Sequence, residues 1–170
     1  MASFVEKREA IEASTTYCDN ELVARDATFT LPEIAFMTAD IQAMGTASLP
    51  LLGLIEDMES SITKVGIDKN MTKLSVPGTH SIEHRWVQDV IMSDGSVKHE
   101  GCKVFLRSMP KKLAPGAGLE IGSSSENDLT FAVTRMKLVV DGEEILLVDR
   151  FAHILKVNGK DYYSEFNEYL

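Results

Sequence analysis

Cysteine is scarce in this 170-residue chain, which has two, at Cys18 and Cys102. Two thiols with no spacing pattern exclude a disulfide scaffold. Neither has a second Cys or a His at metal spacing, so both read as small core residues. Positive charge is also short. Lys and Arg number 17 against 26 Asp and Glu, a formal net charge of −9. That excludes bare electrostatic attachment to nucleic acid, because neutralising phosphates needs a cationic face. No apolar run approaches the roughly 18 residues of a membrane span, so no membrane anchoring is expected. The first residues hold no apolar core of signal-peptide length, and charge begins at Glu6. The thiols are therefore expected to be reduced, as in a cytosol.

What is present is ordinary for a globular domain. Hydrophobic residues make up 44% and charged residues 25%, enough apolar content to exclude a disordered chain. One domain is the default at this length.

Residues 1–14 set Phe4, Val5, Ala10, Ile11 and Ala13 among Glu and Lys, a short amphipathic helix or an arm. Residues 15–170 are expected to form a single β domain. A hairpin is read from Thr15–Cys18 and Glu21–Leu31, turning at Asp19-Asn20. Residues 33–58 are apolar but interrupted by Gly45, Pro50 and Gly53, and read as a long apolar connection. Ser60–Val65 is a strand. Asp68–Ser75 is a small helix capped by Asp68 and stopped by Pro77-Gly78.

Ser81–Met92 alternates, with Ile82, Trp86, Val90 and Met92 on one face. Asp94-Gly95 is expected to turn it into Ser96–Met109 through a type I′ turn, which needs positive φ. Lys111–Asp128 is rich in Pro, Gly and Ser and reads as a loop. Leu129–Val140 and Glu144–Val157 form a second hairpin about Asp141-Gly142, closed by Asn158-Gly159. The fold class is mainly β: a β-sandwich or barrel of long antiparallel hairpins with one or two short α-helices.

Sites of chemistry are few. His80-Ser81-Ile82-Glu83-His84 fits the H-x-x-E-H pattern of one zinc peptidase group. That chemistry needs both His on one helical turn. In an alternating strand, residues 80 and 84 lie about 13 Å apart, at about 3.3 Å per residue. Gly116-Ala117-Gly118-Leu119-Glu120-Ile121-Gly122 resembles a phosphate loop only loosely, with its third Gly one position late and no clear helix after it. No catalytic, cofactor-binding or metal residues are assigned.

The run Leu129–Val140, Asp141-Gly142-Glu143-Glu144-Ile145, Asp149 and Lys156-Val157-Asn158-Gly159 resembles the major tail tube protein of contractile-tailed phages. Thr30-Leu31-Pro32, Gly45 and Gly53-Leu54 ahead of the Ser60–Val65 strand follow the same order. The resemblance spans roughly residues 17–160 and extends to contractile bacteriocins and related injection systems. It implies a non-enzymatic protomer that assembles as stacked hexameric rings around a channel. Strands of every subunit would build the inner wall, with a sheath outside and baseplate and tape-measure proteins as further partners. DNA would pass only transiently, helped if acidic groups face the bore. No cofactor is implied. The setting implied is the bacterial cytoplasm during assembly, then the virion tail or contractile particle. Leu49, Leu51, Leu52, Leu54, Ile55 and Met58 become candidate subunit-interface residues, and the Lys111–Asp128 loop a further contact.

Two other classes are carried beside this one. A monomeric β-barrel would hold a small apolar ligand, with Trp86 lining its core. A zinc hydrolase would use His80, Glu83 and His84.

Overall fold

A computed structural model describes residues 5–116 and 118–170. Phe4, in the expected N-terminal helix or arm, and Ala117, in the glycine-rich segment, lie outside the described residues. Strand takes up 62% of the structure and helix 7%, in line with the mainly β expectation.

The strands are β1 (Lys7–Cys18), β2 (Glu21–Arg25), β3 (Thr28–Thr30), β4 (Phe36–Gln42), β5 (Thr46–Ile55) and β6 (Met58–Val65). Helix α1 (Lys69–Leu74) follows, then β7 (His80–Ile91), β8 (Val97–Ala114), β9 (Glu126–Val140), β10 (Glu143–Asp149), β11 (Ile154–Val157) and β12 (Lys160–Asp161). Helix α2 (Ser164–Glu168) comes last. The main sheet runs β12-β11-β10-β9-β8-β7-β1-β2, with β6 added to β9 and β3 to β6. β4 and β5 form a separate two-stranded sheet.

β9 is where the sheet forks. β8 pairs along one edge of β9. On the other edge, Glu126–Val133 pairs with β6, and Arg135–Val140 pairs with β10. The β6–β3 leaf curls back over β7: Phe29 of β3 stacks on His84 of β7, ring centroids 4.4 Å apart. The core lies inside this curl. Met58, Ile62, Ile82, Leu106, Leu129 and Phe131 are fully buried there, and Leu74 of α1 closes one end. Asp68 caps α1 by accepting the Met71 N–H at 3.0 Å, and Lys64 donates both to Asp68 and to the Val23 carbonyl.

Several expectations need correction. Residues 7–14 are not a helix or arm but the first part of β1, paired with β7 from Lys7↔Ile91 to Ser14↔Trp86. An open strand edge offers every backbone group a partner, which outweighs a weak helical spacing of apolar residues. Arg8 there donates to Glu100 at 2.7 Å and supplies the counter-charge that a buried carboxylate requires.

Residues 33–58 are not a connection but the β4–β5 hairpin and the start of β6. Pro50 is tolerated because β5 has a partner on one side only. The single strand expected over Glu21–Leu31 breaks at Asp26 (φ 50°), so β2 pairs with β1 and β3 with β6.

The expected loop over Lys111–Asp128 is shorter, because β8 continues to Ala114 and β9 begins at Glu126. The return strand over Glu144–Val157 is itself a hairpin. Asp149 accepts the N–H groups of Phe151 and Ala152, at 3.1 and 3.0 Å, and turns β10 into β11. Asp94-Gly95 does turn the chain, but only Gly95 has positive φ (+81°), and its N–H bonds the Met92 carbonyl. That is a type I turn followed by a left-handed Gly. Asp141-Gly142 and Asn158-Gly159 have positive φ at both residues, as type I′ requires.

Candidate functional site

The H-x-x-E-H residues do not converge. His84 points into the core, where its Nδ1 and Thr16 Oγ1 are 2.8 Å apart and its ring stacks between Phe29 and Trp86. Burial pushes its pKa down to about 4. Glu83 accepts from Arg85 on the sheet surface. His80 sits at the start of β7, bonded to Asp19 and to the Val76 carbonyl. Strand alternation and length, rather than one helical turn, set these positions, so the zinc-peptidase arrangement is not formed. In the glycine-rich segment, Gly116, Gly118 and Gly122 have positive φ, but a strand follows instead of a helix. The phosphate-loop reading loses the helix N-terminus it needs.

The ligand-holding barrel finds little support either. The core is filled by Phe131, Met58, Ile62 and their neighbours. Trp86 is partly buried against that core and lines an open surface cleft of about 300 Å³ with Ala13, Arg85 and Lys103.

Chain topology does bring together residues far apart in sequence. Cys18 ends β1, Asp19 opens the turn to β2, and His80 begins β7. The Cys18 sulfur, an Asp19 oxygen and a His80 ring nitrogen lie within 4.8 Å of one another. Cys18 looked isolated because its partner is 62 residues away. Only the β1–β7 pairing, ending at Cys18↔Ile82, reveals the cluster. A second group, Glu12, Asp89 and His99, lies on the exposed sheet surface as a solvated His99–Asp89 pair.

The most extended surface feature is the β4–β5 hairpin. Among the described residues its strands pair only with each other. Leu49, Leu51, Leu52 and Leu54 are between 40% and 60% exposed, joined by Met37 and Ile41, with Met44 fully exposed at the tip. Ile55 packs partly against the core, and Met58 is 1% exposed within it. Two of the six candidate interface residues therefore face inward. The hairpin base is held by Arg150, which donates to Asp57 at 3.0 Å, and by Phe166 of α2, whose ring lies over Gly53. So long a run of exposed apolar side chains is uncommon on the surface of a monomeric domain.

The family model of phage tail tube protein FII matches residues 8–170. The chain belongs to that family. It is accordingly a structural protomer of a tail tube and not an enzyme. Its fold is similar to that of a chain in the cryo-EM structure of an extracellular contractile injection system, the PVC sheath-tube complex in the extended state. The TM-score is 0.50 at 11% identity, covering 74% of this chain and 87% of that one. The PVC sheath/tube terminator in the extended state gives a TM-score of 0.48 at 10% identity, covering 74% and 92%. A search of curated proteins finds no match. The tail-tube resemblance of the C-terminal strands is thus upheld by a match over nearly the whole chain.

Proposed function

We propose that this tube protomer closes into hexameric rings that stack around a channel, and that the β4–β5 hairpin carries the contacts between neighbours. The observation behind this reading is the hairpin's exposed leucine ribbon. Among the described residues no other strand pairs with it, and water is a poor environment for it. Leu49, Leu51, Leu52 and Leu54 are the contact residues; Ile55 and Met58 support them from the core side. A sheath protein encloses the tube, and baseplate and tape-measure proteins set its start and length. The excess of nine negative charges per protomer lets DNA or effectors pass without being held, provided acids line the bore. Assembly takes place in the bacterial cytoplasm before the tube joins a virion tail or contractile particle.

Size-exclusion chromatography and negative-stain microscopy of the wild type are expected to show rings or hollow filaments. Leu51→Asp and Leu54→Asp are expected to remain folded monomers by circular dichroism and to lose those assemblies. Burying a Leu side chain contributes about 1.5–3 kcal/mol. Each substitution therefore weakens association by at least about tenfold. A wild type that stays monomeric at high concentration would sink the ring. Variants that unfold as monomers would move the leucines into the core.

A further inference from the structure

The Cys18, Asp19 and His80 cluster has the make-up of a metal site. Its donors are one sulfur, one carboxylate oxygen and one imidazole nitrogen, a set that suits zinc(II) among the common divalent ions. His80 Nδ1 is 2.8 Å from Asp19 Oδ2, and Cys18 Sγ is 3.8 Å from the same oxygen. Tetrahedral zinc, with bonds of 2.0–2.3 Å, separates its ligands by about 3.3–3.6 Å. The two observed separations bracket that range, and the Cys18 sulfur and the His80 ring nitrogen lie within 4.8 Å of each other.

Groups outside the donor atoms hold the ligands in place. His80 Nε2 is 2.7 Å from the Val76 carbonyl, and Asp19 Oδ1 accepts the Ser81 N–H at 3.0 Å. Metal-binding histidines characteristically give their second ring N–H to such a carbonyl. With Nε2 donating, neutral His80 turns a lone pair toward the Asp19 carboxylate. That approach requires a cation between them, either a proton or a metal. Cys18 adds a third donor, which a metal would use and a shared proton would not. Cys18 is 4% exposed, and its thiol donates to the same oxygen in a long contact. Asp19 opens the cluster to solvent, which provides an entry path.

We propose that Cys18, Asp19 and His80 form a structural zinc(II) site, completed by water, which ties the β1–β2 turn to the start of β7. Thiolate, carboxylate and neutral imidazole with one zinc(II) sum to a net charge of zero, which suits a half-buried corner. Binding releases the thiol proton and the proton shared by His80 and Asp19, so affinity rises with pH. The inference is independent of ring assembly, and a folded monomer suffices to test it.

The full chain, stripped with chelator and checked by circular dichroism, is titrated with cobalt(II) and then zinc(II). The wild type is expected to show a thiolate-to-cobalt charge-transfer band and the visible bands of a four-coordinate ion, both displaced by one equivalent of zinc. Its thermal midpoint is expected to rise with zinc. Losing an outer-shell partner costs 10–100-fold in affinity. Removing a ligand in His80→Gln is therefore expected to cost at least about 100-fold. Cys18→Ser abolishes the charge-transfer band and Cys102→Ser keeps it. Should Cys18→Ser fail to fold, Asp19→Asn and His80→Gln carry the same expectation for affinity. A wild type with no cobalt spectrum in metal excess overturns the site. So does unchanged affinity in His80→Gln, or a band that follows Cys102 instead of Cys18.

Discussion

His84 is the buried side chain with the clearest consequence for solution behaviour. Enclosed by Thr16, Phe29 and Trp86, it stays neutral in the fold because burial lowers its pKa to about 4. The unfolded chain protonates it near 6.5. Its contribution is whole above about pH 6.5 and is lost as pH falls toward 4, where the unfolded state binds the extra proton. The loss amounts to about 3 kcal/mol across that window, at 1.36 kcal/mol per pKa unit. Urea unfolding of the wild type at pH 7 and pH 4.5 is expected to show this decline, and His84→Leu to show a shallower one. Equal slopes in the two proteins would assign the acid sensitivity to other groups. His80 behaves oppositely: hydrogen bonding to Asp19 and to the Val76 carbonyl raises its pKa. Two histidines four residues apart on one strand thus differ because one faces packed rings and the other a carboxylate.

At the scale of elements, short local features depend on particular side chains. Helix α1 has only six residues, too few to stand alone in water. It rests on the Asp68 cap and on Met71 and Leu74 facing the core. Asp68→Ala is expected to cost about 1 kcal/mol in a urea titration. A variant with unchanged stability would show that packing of Met71 and Leu74 suffices. The hairpins differ in the same concrete way. Asp141-Gly142 and Asn158-Gly159 were legible as turns, and both positions of each adopt the left-handed backbone of type I′. The break at Asp149 was not legible, because Glu144–Val157 reads as one continuous return strand. It depends on a carboxylate accepting two N–H groups further along the chain.

For the whole molecule, charge and exposed apolar surface oppose each other. Copies that each carry −9 repel, whereas the proposed contact through the exposed β4–β5 leucines favours association. Salt screens the first effect and leaves the second in place. Assembly followed by light scattering is therefore expected to increase as sodium chloride rises from low to physiological levels. A decrease would mean that ion pairs, not leucines, dominate the contact. Among the described residues the outer edges of β2 and of the β4–β5 ribbon have no strand partner, and neighbours in the proposed ring would cover them.

By itself the sequence determined the mainly β class, the alternation of β7, the Asp68-capped helix, the glycine turns and the tail-tube resemblance of the last third. These follow from side-chain period, local backbone preference and turn chemistry, which act over a few residues. Only the tertiary structure decided the rest. Lys7–Ser14 became strand because β7 offered an edge, and residues 36–55 became a hairpin because each half supplies the other's backbone partners. Met58 went to the core and the four leucines to the surface. Cys18 and His80 met because antiparallel pairing brings the end of β1 beside the start of β7. Such outcomes depend on contacts between distant segments, and local pattern does not carry that information.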